Sequence, residues 1–287
     1  MLYLSRFAFP VAEWETSFLM GVLRKCYDSF YPFKVLSSQG LTEMEFEPIT
    51  LLYGGNGSGK TTALNVIAEK LRLQRDSRYN RSSFFEDYTD ACQYELRTAV
   101  PPESRVITSD DVFDFMLNLR TLNQGIDKKR EELFEEYTDA KYSDFHLRSM
   151  EDYDQLKKVN LSRRSTQSRY VRKKLMDNLP EHSNGESAFS YFTQRIQENA
   201  LYLLDEPENS LAPERQLELV KFLEDSARFF GCQFLIATHS PLLLSLPGAR
   251  IYDLDANPAA IRRWTDLPAV RIYYEFFQAH AGEFQRP

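Results

Sequence analysis

The sequence predicts an α/β protein: a mostly parallel sheet with flanking helices and an inserted helical subdomain. Three observations carry that expectation. Residues 48–71 read as a short apolar strand, a glycine-rich loop and a helix. Residues 200–240 read as a buried strand ending in two acids, then a helix, then a second buried strand. Between these stretches, residues 123–178 turn charged and polar, as an insertion of surface helices would. Strand, helix and strand with short links imply a right-handed crossover and parallel pairing.

The elements follow in order. The N-terminal region alternates apolar stretches with turns, and "LTEMEFEPITLLY" reads as two strands or one long broken one. "YGGNGSGKTT", residues 53–62, comes next. The chain has only 11 glycines, and this stretch holds a cluster of them. Residues 54–61 match G-x-x-x-x-G-K-[ST], the pattern of a phosphate cradle. Glycine lets successive N–H groups turn inward around an anion where a Cβ would clash. Gly55, Asn56, Gly57, Ser58, Gly59, Lys60, Thr61 and Thr62 are the expected phosphate-binding residues. Lys60 would reach the β- and γ-phosphates, and the Thr61 hydroxyl would ligate Mg²⁺. "TTALNVIAEKL" places Leu64, Val66, Ile67 and Leu71 at helical spacing, so the phosphates would meet a helix N-terminus.

After a polar segment, "FFEDYTDACQYEL" is expected as a strand, "VPPES" as a breaker and "RVIT" as another strand. Ser109 is expected to cap a helix with acids in its first turn. The expected organisation is a core of residues 1–110 and 183–287, with 111–182 as a helical insertion. The core resumes with "ALYLLDE" as a buried strand. A helix follows, opened by Pro213 and closed by Gly231. "CQFLIATHS" and "RIYDLD" are further strands, and "AVRIYYEFFQAH" is a final helix or strand–helix.

Composition bounds the rest. At 287 residues and 43% hydrophobic, the chain suits one large domain or a core with an insertion. A net charge of -7 argues against tight non-specific duplex binding, except through a local basic patch. Cys26, Cys92 and Cys232 have neither metal nor redox spacing, and an odd number of them suggests free thiols in a reducing cytosol. The first residues lack a signal peptide's basic start and long apolar middle, and no apolar run approaches the ~18 residues of a membrane span. A soluble, cytoplasmic protein is the expectation.

Three motifs extend the phosphate loop into a site. "LYLLDEPENS" ends a strand in Asp205 and Glu206. The first acid would hold Mg²⁺ and the second would polarise a water in line with the γ-phosphate. "ATHS" ends the next strand, and strand C-termini line the ligand crevice of a parallel sheet, so His239 is expected beside Asp205 and Lys60. "HSNGES" reads as a cap, a glycine turn and a helix start, with Ser183 and Gly185 at an anion-facing terminus.

In motif and order these stretches resemble the ATP-binding-cassette (ABC) ATPases. That family's signature runs Leu-Ser-Gly-Gly-Gln. Here "HSNGE" keeps Ser183 and Gly185 and carries Glu186 in place of Gln. "SNGES", "YLLDEPENSLAPERQL" and "QFLIATHSPLLL" are similar to stand-alone bacterial predicted ATPases of the AAA family, related to the RecF, OLD-family and Septu-type defence ATPases. The resemblance covers residues 48–72 and 182–252. It implies an Mg²⁺-dependent ATPase whose two subunits sandwich two ATP molecules head-to-tail. Ser183 and Gly185 would then complete the partner's site, "NSLA" would serve as the dimer-contact loop and His239 as the γ-phosphate switch. It also implies a motor or regulatory subunit in a phage-defence or DNA-maintenance system, working with a separate effector such as a nuclease. A transporter's nucleotide-binding subunit and an ATP-gated binding module with little turnover are the alternatives.

The family's glutamine loop has no clear counterpart. By position, Ser109 or Asp110 would substitute near Mg²⁺, with Gln93 as the fallback. Asp110 reads equally well as a first-turn helix acid. Tyr31 and Phe33 are candidates to stack on adenine. The basic cluster "RRSTQSRYVRKK", residues 163–174, is either a solvated helix face or a contact for a phosphate backbone or acidic partner.

Overall fold

The structure, a computed structural model, describes residues 1–22, 26–144, 152–178 and 184–284. The chain divides into two compact units, Met1–Phe113 with Asn184–Pro287, and Asp114–Ser183. In chain order the elements begin with β1 (Leu4–Ala8), α1 (Ala12–Gly21), β2 (Glu43–Glu45), β3 (Ile49–Tyr53), α2 (Lys60–Leu71), α3 (Phe85–Ala91), β4 (Gln93–Leu96) and β5 (Arg105–Thr108). The helices α4 (Ser109–Tyr142), α5 (Tyr153–Arg164), α6 (Gln167–Lys174) and α7 (Asn184–Arg195) follow. The remainder is β6 (Leu201–Asp205), α8 (Pro213–Phe229), β7 (Gln233–Thr238), α9 (Pro241–Leu244), β8 (Arg250–Asp253), β9 (Ala260–Arg262), α10 (Pro268–Ala279) and α11 (Ala281–Phe284).

The first unit has an α/β fold. Its larger sheet has the order β5-β6-β7-β3-β8-β9, parallel throughout except for the antiparallel edge strand β9. Every residue of β3 and β7 is buried, which accounts for their unbroken apolar character and their central place. α2 presents Ala63, Leu64, Val66 and Ile67 to a core shared with Leu52, Leu203 and Leu235. Burying one such side chain contributes roughly 1.5–3 kcal/mol.

A smaller antiparallel sheet, β2-β1-β4, is stitched to the larger one by the first residue of β7. The Gln233 Oε1 accepts from Tyr3 N at 2.8 Å and Leu4 N at 2.9 Å, while its Nε2 donates to Leu4 O at 2.8 Å. A buried amide with both ends used ties the start of β1, the middle strand of the smaller sheet, to β7.

Two expectations change, and one of two alternatives is decided. Residues 85–91 form a helix, because Phe85, Tyr88 and Thr89 fall on one buried face at helical spacing, and only 93–96 pair as a strand. The cap of α4 is Thr108 rather than Ser109. Its Oγ1 accepts from Asp111 N at 3.3 Å, and Asp111 Oδ2 accepts from Thr108 N at 2.7 Å, a reciprocal capping box. Residues 268–279 are wholly helical, with Pro268 in the first turn.

The second unit is helical among its described residues. Leu133 and Tyr137 of α4 pack on Tyr170 and Val171 of α6. Glu136 accepts from the Tyr170 hydroxyl and from Lys174 Nζ, the latter at 2.6 Å, and these contacts hold its carboxyl at about 2, well below its ordinary value, against the opposing effect of burial. Among the described residues no helix is long and apolar enough to cross a membrane. Cys26 is exposed, whereas Cys92 and Cys232 are buried.

Candidate functional site

Register places the candidate residues at one edge. Tyr53, the last residue of β3, pairs with Thr238, the last of β7, and Asp205, the last of β6, pairs with Ala237. Because β7 lies between β3 and β6, the glycine loop, the two acids and the histidine leave the sheet side by side. Strand C-termini are where open α/β sheets hold ligands.

The loop is built by its glycines. Gly57 and Gly59 have φ of +86° and +93°, a region that L side chains rarely adopt. A Cβ on Gly59 would also meet Leu36 Cδ2 at 3.1 Å and Val35 Cγ1 at 3.3 Å. Lys60 is buried and folded back on the loop, donating to Gly54 O at 2.7 Å and Gly55 O at 3.0 Å. The Thr61 hydroxyl donates to Asp205 Oδ1 at 3.1 Å. A cleft of about 330 Å³ is lined by Val35, loop residues 56–62 and Glu206.

The acidic side is crowded. Burial pushes the Asp205 carboxyl up to about 6; the hydrogen bond from Thr61 opposes this and the Glu206 charge adds to it. Glu206 has φ +48° and ψ +54°, left-handed for a residue with a Cβ, at a cost of about 1–2 kcal/mol. The turn is held by Glu206 N donating to Ala237 O at 2.9 Å and by Asn209 Nδ2 donating to Glu206 Oε2 at 2.9 Å. Glu206 Oε1 lies 3.8 Å from Lys60 Nζ and 3.7 Å from His239 Nδ1. Lys60, Thr61, Asp205, Glu206 and His239 therefore form one connected constellation.

The other expected residues join this group to differing degrees. Asp110 is exposed in the first turn of α4, two residues past Thr108, which pairs with Asp205, so it leaves the sheet at the same edge. Gln93 is an exposed residue of β4, in the smaller sheet. Phe33 is buried in an aromatic cluster with Trp14, Phe18 and Tyr88, so no face is left for a base. Tyr31 lies nearer the loop, its hydroxyl donating to Thr62 Oγ1 at 3.1 Å. Gly185 is in the first turn of α7, and Ser183 lies outside the described residues. Glu186 pairs with Arg215 of α8 at 3.2 Å.

Sequence reasoning missed three participants. Asp255, just past β8, accepts from Gly55 N through both carboxylate oxygens at 2.9 Å and braces the loop's base. Val35 forms a wall of the cleft. Glu208 is buried behind the histidine turn, accepting from Thr238 Oγ1 at 2.6 Å, His239 N at 2.9 Å and Ser240 N at 3.2 Å. A further acid three residues after Asp205 was the available signal for Glu208. No local signal marks Asp255, whose partner is distant in sequence. Glu208 and His239 also line a second cleft, of about 620 Å³, walled by Trp264, Tyr273 and Phe277.

Residues 179–245 match the family model described as "AAA domain, putative AbiEii toxin, Type IV TA system". That segment contains β6 with its two acids, α8 and the histidine turn, and it is similar to that domain. No curated protein matches the chain. Among solved structures, the chain is similar to the Smc head domain with an extended coiled coil, bound to the C-terminal domain of ScpA, from Pyrococcus furiosus. That match has 14% identity over 82% of this chain and 94% of that one, with a TM-score of 0.40. It is also similar to a nucleotide-free ATP-binding cassette from an ABC transporter, with 15% identity over 81% and 90% of the two chains and a TM-score of 0.37. A putative metal-chelate type ABC transporter in an inward-facing conformation matches at 16% identity over 79% and 76%, with a TM-score of 0.36.

Proposed function

We propose that this chain is an ABC-type ATPase that hydrolyses ATP with Mg²⁺ between the glycine loop and the acid-ended strand. The observation that carries this reading is the Thr61–Asp205 pair, 3.1 Å apart at the mouth of a glycine loop that also holds Lys60. A hydroxyl and a single carboxylate are hard oxygen donors that suit magnesium. Among the described residues no group of three or more His, Cys, Asp or Glu is arranged to hold a metal. Thr61 and Asp205 would therefore hold the ion together with nucleotide phosphates. Bound there, Mg²⁺ would neutralise phosphate charge.

The chain's own groups supply the rest. Lys60 exchanges its two carbonyl acceptors for β- and γ-phosphate oxygens, and the amides of Gly57 and of residues 59–62 donate to the same phosphates. Glu206 accepts a proton from the attacking water as the bond to the γ-phosphorus breaks, leaving ADP and inorganic phosphate. His239, 3.7 Å from Glu206, contacts the γ-phosphate.

In this reading two chains close head-to-tail over two nucleotides, with Ser183 and Gly185 of each completing the other's site. ATP favours the closed pair and hydrolysis releases it. The role proposed for the pair is that of a motor or regulator in a phage-defence or DNA-maintenance system, with a separate effector such as a nuclease. Support for a nucleic-acid partner comes from the second unit. Arg169, Arg172 and Lys173 are exposed at helical spacing on α6, opposite buried Tyr170 and Val171. Guanidinium forks suit phosphate oxygens.

The test is phosphate release with MgATP by wild type and Glu206→Gln, with molar mass measured on the same samples. Wild type should turn over, and the variant should be inactive and dimeric with ATP. Hydrolysis by Glu206→Gln at the wild-type rate would remove Glu206 from the mechanism.

A further inference from the structure

Glu208 is 5% exposed, yet nothing in the roles above uses it. It sits in the single turn, Pro207–Ser210, that follows the acid-ended strand. One carboxylate oxygen, Oε1, takes three donors from consecutive residues of the opposite turn: the Thr238 hydroxyl and the amides of His239 and Ser240. The other oxygen, Oε2, is buried with no hydrogen-bond partner. An uncompensated buried carboxylate oxygen is costly, and a neutral side chain could accept the same bonds more cheaply. The acid also touches the histidine ring, with Glu208 Oε1 3.4 Å from His239 Nδ1 and Glu206 Oε1 3.7 Å from the same atom. Both separations exceed an ordinary N–H···O hydrogen bond, but two carboxylates can only accept, so together they favour the ring form with hydrogen on Nδ1, which leaves Nε2 for a ligand. Gln216 adds a second tie, its Oε1 accepting from Ser240 Oγ at 2.6 Å while its Nε2 donates to Leu211 O at 2.9 Å.

We propose that Glu208 is a positioning residue: by clamping the 238–240 turn through one oxygen, it sets the place and the tautomer of His239 beside Glu206. The turn after β6 and the turn after β7 then move as one piece. A shift of the Asp205–Glu206 segment on binding nucleotide carries the histidine with it. This rests on the ATPase reading for its consequence in catalysis. The orientation of the ring itself does not.

The experiment therefore has two readouts. The first is the His239 side-chain ¹⁵N spectrum of ligand-free wild type, Glu208→Ala and Glu208→Gln. Wild type should show the Nδ1–H form, Glu208→Ala a mixture or the Nε2–H form, and Glu208→Gln, whose amide oxygen still accepts, the wild-type form. A wild-type spectrum in Glu208→Ala would overturn the proposal even if no ATP is hydrolysed. The second readout is a cycle with His239→Ala. Glu208→Ala should lower kcat at least about tenfold with KM for ATP within about threefold, and adding His239→Ala should lower it no further. Glu208→Gln should recover to within about fivefold of wild type. Losses that simply multiply, or a Gln variant no better than Ala, would overturn positioning through the histidine. No turnover in wild type would instead sink the ATPase reading and leave the spectrum to judge Glu208. If Glu208→Ala does not fold, the Gln variant and its spectrum carry the test: a ring tautomer differing from wild type would overturn the clamp.

Discussion

The glycine loop after β3 and the acidic turn after β6 flank the same strand, yet they are satisfied to opposite degrees. In the loop most demands are met: Lys60 rests on two carbonyls, Asp255 braces Gly55, and the glycines adopt the φ values that only they tolerate cheaply, although the Ser58 hydroxyl is buried without a partner. In the turn, Asp205 is pushed up to about 6, Glu206 is left-handed and one oxygen of Glu208 is bare. The cationic side is preformed, and the anionic side stores the conflict that a bound cation would relieve.

The largest expected effect breaks the comparison on its preformed side. Lys60→Ala should lower ATP hydrolysis about 100- to 1000-fold, the usual cost of removing one preorganised charge-stabilising donor, while leaving the fold's melting curve near wild type. Next comes Gly59→Ala, which should destabilise the unliganded protein by about 2 kcal/mol in denaturant titrations, because its φ of +93° and the nearby Val35 and Leu36 leave no place for a methyl.

Asp205→Asn should do the reverse on the acidic side. A carboxyl whose folded pKa lies above its unfolded value near 3.8 contributes stability that is fully present below that value and lost as pH rises through about 6. Above pH 6 the ligand-free variant should thus be more stable than wild type by about 2 kcal/mol, an advantage that fades toward pH 4. Added MgATP should stabilise wild type and not the variant. A wild type that stays more stable than Asp205→Asn at pH 7.5 without nucleotide would dissolve the contrast. The smallest effect belongs to Tyr31→Phe, which removes one hydroxyl bond to Thr62 and should cost about 0.5–1.5 kcal/mol with little change in turnover.

Much of this was legible in the sequence where the chemistry is local. The β3–loop–α2 segment is contiguous, and the apolar runs of β6 and β7 announce buried parallel strands. The residues that escaped notice act across the fold. Asp255 reaches Gly55 and Gln233 reaches Tyr3 only after the sheet has formed, so no window of sequence contains both partners. Aromatic richness misled in another way. Phe33 reads as a free stacking face in the sequence, but packing claims it for the core between Phe18 and Tyr88. Residues 85–91 show a third limit, since aromatic and β-branched residues favour a strand until the i, i+3, i+4 burial of Phe85, Tyr88 and Thr89 decides for a helix.

The central strand β3 has a consequence for the chain as it is being made. Both of its neighbours, β7 and β8, are encoded far downstream, and Tyr3 waits for a residue 230 positions later. During synthesis the glycine loop emerges early but has no sheet to stand on until residues 233–253 leave the ribosome. A ribosome stalled before that point would display the glycine loop's sequence without the site. Only a chain extended through residue 253 can therefore assemble this edge of the sheet.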